Sequence, residues 1–275
     1  MFLLNGHDNN SLPISDRGLH YGDGLFETLE ILQGKPLFLA QHLERLQQGC
    51  HRLKIPAFDP QLLIQEALQL CAGHERGVLK IIITRGSGGR GYRQPDVIQA
   101  TRIMGVYPYP AYPENYAEKG VALTFCEHPV SVNPVLAGIK HLNRLDQVLA
   151  RAEWQDDSFQ EGIMCDNRGW LVEGTMSNLF WVRDQKVCTP SLDQAGIEGI
   201  VRQWLIRYLQ ENAMTVEIAQ YTAEHLLKAN EVWVTNSVIG IWPVRIINNQ
   251  EFVLGPFTRQ LQAAWQLARS QQLSC

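Results

Sequence analysis

Glu173-Gly174-Thr175-Met176-Ser177-Asn178-Leu179-Phe180, then Val187-Cys188-Thr189-Pro190, then Ile197-Glu198-Gly199-Ile200-Val201-Arg202 form the most informative run of this 275-residue chain. Asn178–Val182 and Val187–Thr189 read as strands, and an apolar period from Gly199 to about Gln210 reads as a helix.

Working outward, Gly162–Asp166 reads as a strand ended by the turn Asn167-Arg168-Gly169. A helix is expected near Leu142–Trp154 and a strand near Val121–Cys126. Downstream come strands at Thr215–Ala219, Val232–Thr235 and Val244–Ile247, with helices at Ala223–Lys228 and Phe257–Gln271. In the first hundred residues, Gly24–Phe38 forms a hairpin around Gln33-Gly34. Leu39, Leu43, Leu46, Cys50 and Leu53 make one helix face, and Asp59-Pro60 opens a second helix that Gly73 closes. Val78–Thr84 and Val97–Val106 read as strands. The proline-rich run Tyr107-Pro108-Tyr109-Pro110-Ala111-Tyr112-Pro113 cannot continue a helix and reads as an extended connector. The expectation is an α+β, two-domain chain: a small N-terminal α/β domain over 1–107, a connector over 108–118 and a larger C-terminal domain over 119–275.

Composition excludes several classes. The chain is 45% hydrophobic and 19% charged, with formal net charge −4. That is ordinary for a globular protein and leaves no basic stripe for nucleic acid. No apolar run approaches the ~18 residues a membrane span needs. Met1–Asp8 turns polar too early for a signal-peptide core, so a cytoplasmic location is expected. Cys50, Cys71, Cys126, Cys165, Cys188 and Cys275 are scattered, without CxxC or His spacing. Reduced thiols and no metal site are expected.

Three local features invite chemistry. Arg85-Gly86-Ser87-Gly88-Gly89-Arg90-Gly91-Tyr92 follows a strand, but it opens no helix and lacks the Lys-Ser/Thr ending of a phosphate loop. It reads equally as a mobile surface loop or as a lid in which Arg90 grips a carboxylate. No G-x-S-x-G elbow supports a hydrolase. Lys140 is one of seven lysines and follows the apolar approach Asn133-Pro134-Val135-Leu136-Ala137-Gly138-Ile139. Taken alone it reads as a first-turn lysine in solvent; desolvated, it would become a nucleophilic amine.

The wider pattern resembles the fold-type IV enzymes that use pyridoxal 5'-phosphate (PLP). It consists of Glu173, then Asn178-Leu179-Phe180, a strand threonine at Thr189, and apolar-x-Gly-apolar-x-Arg over Ile197–Arg202. Ser15-Asp16-Arg17-Gly18, Tyr21–Thr28, His42–Leu46, Gly138-Ile139-Lys140 and Thr235-Asn236-Ser237 extend the resemblance over essentially the whole chain. It implies a two-domain fold with a barrel-like C-terminal domain, and PLP held covalently by Lys140. Glu173 is then the partner of the pyridine nitrogen. Arg45, the backbone of Gly199, Ile200 and Val201, and Asn236 with Ser237 form the phosphate cup. By the same resemblance the partners are a small-molecule substrate and a second copy in a homodimer.

Within the family, D-amino-acid aminotransferases carry Arg-x-His where this chain has Arg90-Gly91-Tyr92. Branched-chain aminotransferases carry Tyr where it has Leu145. Arg85–Tyr92 and Ala137–Val148 look most like the 4-amino-4-deoxychorismate lyases. That likeness implies release of 4-aminobenzoate, a folate precursor, and pyruvate. Lys140 acts as acid and base, Arg90 binds a carboxylate, and Thr28, Tyr92 and Tyr109 line the pocket; Tyr109 suits a structural connector equally well. An aminotransferase, and a binding protein without catalysis, are the other readings.

Overall fold

The computed structural model describes residues 2–274, so Cys275 lies outside it. The chain divides into two compact units. One comprises residues 1–110, 139–143 and 269–275; the other comprises 111–138 and 144–268.

The first unit holds β1 (Phe2–Leu4), β2 (His7–Asp8), α1 (Arg17–Tyr21), β3 (Gly24–Leu32), β4 (Lys35–Pro36), α2 (Leu39–Leu53), α3 (Pro60–Cys71), β5 (Arg76–Thr84) and β6 (Thr101–Tyr107). Among the described residues its strands form one six-stranded sheet in the order β2-β1-β6-β5-β3-β4. Strand β3 alternates: Leu25, Leu29 and Ile31 are buried on one face, with Glu27 in the same register. Phe26 and Thr28 lie on the other face. Helix α2 buries Leu43, Leu46 and Cys50 as its apolar period requires, and with them His42, Arg45 and Gly49. A Cβ on Gly49 would meet Leu25 Cδ2 at 2.8 Å, so helix and strand approach closely here and any larger residue would displace the buried Leu25 side chain. Asp59 caps α3 by accepting from Gln61 N–H at 2.9 Å.

The second unit holds α4 (Tyr116–Lys119), β7 (Val121–Phe125), α5 (Leu145–Arg151), β8 (Glu161–Cys165), β9 (Leu171–Gly174), β10 (Asn178–Arg183), β11 (Lys186–Pro190), α6 (Ile200–Glu211), β12 (Val216–Ala219), α7 (Ala223–Leu227), β13 (Glu231–Asn236), β14 (Gly240–Ile247), β15 (Gln250–Glu251) and α8 (Pro256–Ser274). The last residues of α8 group with the first unit. Among the described residues one nine-stranded mixed sheet runs β12-β11-β10-β13-β14-β7-β8-β9, with β15 beside β14. Its central strands are covered on both faces, which explains their continuous apolar runs. Leu179, Trp181, Val232 and Val234 enter one core cluster, while Phe180 stacks on its register partner Trp233, centroids 5.7 Å apart.

Two expected elements are shorter than the sequence suggests. The helix expected at Leu142–Trp154 is confined to α5, because residues 140–142 run extended beside β3. Phe26 N–H donates to Lys140 O at 2.9 Å, and Leu142 N–H donates to Gly24 O at 3.0 Å. Those strand bonds compete with a helix start. The strand expected from Val97 begins at Thr101, whose hydroxyl shares Asp16 Oδ2 with Thr84, at 2.8 and 2.9 Å.

Candidate active site

In the second unit, Glu173 sits on β9, buried. Its Oε2 accepts from Ile197 N–H at 2.8 Å and lies 3.4 Å from Asn178 Nδ2, which itself donates to Ile197 O at 2.8 Å. Asn178 thus ties the carboxylate to the segment entering α6. The turn between β9 and β10 is organised by Glu161, fully buried on β8. Its carboxylate accepts from the hydroxyls of Thr175 and Ser177 at 2.5 and 2.6 Å and from Thr175 N–H at 3.0 Å. Burial raises the Glu161 carboxyl above its ordinary range despite these donors.

Helix α6 begins at Gly199, with φ −64° and ψ 146°, and has no side-chain cap. The N–H groups of Ile200 and Val201 have no partner among the described residues. A Cβ on Gly199 would collide with Asn178 Oδ1, so glycine both opens the helix start and makes room for the asparagine. Thr235 Oγ1 and Arg202 Nε are also buried without a partner among the described residues. Asn236, expected in an anion cup, uses its carboxamide otherwise. Its Oδ1 accepts from Val238 and Ile239 N–H at 2.8 and 2.9 Å, and its Nδ2 donates to Met176 O at 3.0 Å. Ser237 lies in the turn so built.

In the first unit, the extended 139–143 segment presents Lys140, half-buried, with Nζ 4.4 Å from the centroid of the Phe26 ring. Lys80 Nζ lies 5.5 Å from the same ring, and Lys80 is the register partner of Thr28. Lys140, Phe26, Thr28 and Lys80 therefore share one face, with the Nζ atoms of two lysines beside an aromatic ring.

Arg45 is held by Glu27: Nε donates to Oε1 at 2.8 Å and Nη2 to Oε2 at 2.5 Å. His42 Nδ1 lies 2.6 Å from the same Oε2. Burial alone would raise the Glu27 carboxyl, but Arg45 and then His42 outweigh it and hold it at about 2. Burial first, then the charges of Arg45 and Lys140, push His42 below its ordinary value against the pull of Glu27. A neutral imidazole donates through Nδ1–H and leaves Nε2 a buried acceptor without a partner among the described residues.

Of the substrate residues expected from the sequence, Thr28 is half-buried beside Lys80, and Arg90 is exposed on the glycine-rich loop. Tyr92 is 87% exposed and meets Tyr21 edge-on. Tyr109 stacks under the Arg76 guanidinium at 3.6 Å. Arg17, Glu27, His42 and Asn178 stand in the segments that carry the resemblance but had no role assigned, and Lys80 and Glu161 lie outside those segments. Glu27 carried a readable signal, a carboxylate in register with Leu25, Leu29 and Ile31 on a strand's core face.

The sequence profile of the family described as amino-transferase class IV matches residues 24–247. An aminodeoxychorismate lyase of Vibrio harveyi is 37% identical over 266 residues, covering 95% of this chain and 98% of that protein. The crystal structure of 4-amino-4-deoxychorismate lyase from Pseudomonas aeruginosa superposes with TM-score 0.93 at 43% identity, covering 97% of this chain and 98% of the other. An Escherichia coli branched-chain amino acid aminotransferase shares the fold, with TM-score 0.87 at 23% identity and coverage of 98% and 95%. The expected two-domain α+β fold of type IV is the one these structures have.

Proposed function

The chain belongs to the amino-transferase class IV family, and within it we propose a PLP-dependent lyase that converts 4-amino-4-deoxychorismate into 4-aminobenzoate and pyruvate. The observation that carries this reading is likeness, over nearly the full length of each chain, to two lyases of that name.

The residues fit the cofactor. The uncapped N–H groups of Ile200 and Val201 at Gly199 suit a phosphate, and the glycine leaves the helix start open. Glu173 offers a buried, oriented carboxylate for a protonated ring nitrogen, and Lys140 an amine beside an aromatic face. Arg45 adds a guanidinium to the phosphate group's binding; Asn236 shapes the turn that carries Ser237 and offers backbone rather than side-chain contacts. When bound, the cofactor supplies an electron sink conjugated to the amine-bearing carbon of the substrate.

The protein's own groups do the rest. Lys140 Nζ takes the proton from C4 of the substrate and returns one to the departing enolpyruvyl group. The C3–O bond breaks and the ring becomes aromatic, which makes the reaction strongly downhill. Arg90 and Lys80 provide cations for the substrate's two carboxylates, and Thr28, Tyr92 and Tyr109 border the ring.

A homodimer is part of the proposal. Leu145, Val148 and Leu149 stand exposed on one side of α5, Leu145 at 73%, an apolar stripe that a second copy would cover. No helix among the described residues is long and apolar enough to cross a membrane, and the proposed setting is the cytoplasm, where the product feeds folate synthesis.

The test is parallel incubation of holoenzyme with 4-amino-4-deoxychorismate, followed by 4-aminobenzoate fluorescence, and with D-alanine plus 2-oxoglutarate. Turnover in the first is expected. Turnover only in the second would make the protein an aminotransferase.

A further inference from the structure

Arg17 holds both limbs of the glycine-rich loop. Its backbone N–H donates to Gly86 O at 2.9 Å, where the chain leaves β5. Its guanidinium, 4% exposed, donates through Nη1 to Gly91 O at 3.0 Å and makes longer contacts of 3.5 Å to the carbonyls of Tyr92 and Arg93. Nε is anchored on Asp23 Oδ2 at 3.0 Å, and the guanidinium carbon lies 4.8 Å from the Tyr21 ring centroid, against which Tyr92 packs. Across the loop Gly88, Gly89 and Gly91 have φ of 140°, 68° and 76°. Such glycines resist alternative backbone states weakly, so the loop's order comes from its anchor. Arg90 stands in that span, exposed, with no hydrogen bond or ion pair among the described residues.

We propose that Arg17 is a positioning residue: by fixing the loop it holds the unpaired Arg90 ready for a substrate carboxylate. The inference rests on the lyase reading for the identity of that carboxylate. With the anchor in place the loop is ordered before substrate arrives; without it, binding must also order the loop, and affinity falls.

Arg17→Lys tests this. A single ammonium cannot reach Asp23 and the loop carbonyls together. Asp23 keeps two hydrogen bonds from Arg85, at 2.8 and 2.9 Å, so the fold keeps its partner. On holoenzyme, hydrogen exchange of amides 87–93 is expected to speed at least about tenfold, with faster tryptic cleavage after Arg90. KM for 4-amino-4-deoxychorismate should rise on the order of tenfold while kcat stays within about twofold. In an Arg90→Gln background, Arg17→Lys should change KM by less than about twofold, because the two act as one unit.

Unchanged loop exchange, or KM effects that multiply independently, would overturn the proposal. A wild type that does not turn over this substrate would instead refute the lyase reading and the substrate half of the proposal. The exchange measurement would still decide whether Arg17 anchors the loop.

Discussion

Glu27→Gln removes a charge that the first unit is built around while keeping the shape of the side chain. Glu27 is 1% exposed, and its carboxyl is held at about 2 against an ordinary 4.5. At 1.36 kcal/mol per tenfold in proton affinity, that difference corresponds to about 3 kcal/mol of stability. Breaking a buried ion pair from one side costs a similar ~3–5 kcal/mol, here because the buried Arg45 loses its hydrogen-bonded carboxylate. For a chain of this size the loss translates to a fall in Tm of roughly 6–12 °C at pH 7. A carboxyl depressed on folding contributes stability that is complete above its unfolded value and disappears as pH falls toward its folded one. The gap between wild type and variant should therefore be full above about pH 5 and shrink steadily toward pH 2–3. Thermal unfolding at pH 7, 5 and 3.5 measures it. A variant within about 2 °C of wild type at pH 7, or a gap as wide at pH 3.5 as at pH 7, would refute the reasoning.

Gly199→Ala should push Asn178 off its bond to Ile197 O and, at ~1–3 kcal/mol for a broken buried hydrogen bond, weaken cofactor binding about tenfold or more. Titration of the apoprotein with PLP reads this out, and an unchanged affinity would contradict it. The proposed dimer of 31.2 kDa chains should sediment as such for the wild type and as monomers for Leu145→Asp combined with Val148→Asp. A double variant that sediments with the wild type would remove α5 from the interface.

Much of the architecture was written in periodicity. The α2 stripe, the Asp59-Pro60 start of α3, the β10–β11 pair and the Gly199 helix start all follow from spacing and capping chemistry. The β1–β2 hairpin is legible as well: Asn5-Gly6, at φ 53° and 83°, is a strong turn signal. Helix α5 is shorter than its periodicity for a different reason. Whether residues 140–142 join a helix or a strand depends on open backbone groups of β3 more than a hundred residues away, which no local window contains. The same limit hid the site's supporting residues. Arg17, Glu27, His42, Arg45, Glu173 and Asn178 all stand in recognisable motifs, but only for Arg45 and Glu173 does the motif carry a role. Their partners Glu27, His42 and Asn178 are set by tertiary register, and Arg17 by the path of a loop some seventy residues downstream.

The reaction proposed for this chain is an elimination in which Lys140 moves the protons. It is tested most directly by giving holoenzyme 4-amino-4-deoxychorismate with no 2-oxo acid present, and counting 4-aminobenzoate and pyruvate. Equal amounts of the two products are expected from wild type and neither from a folded Lys140→Ala variant. Product formation that requires an added 2-oxo acid, or that survives in Lys140→Ala, would contradict it.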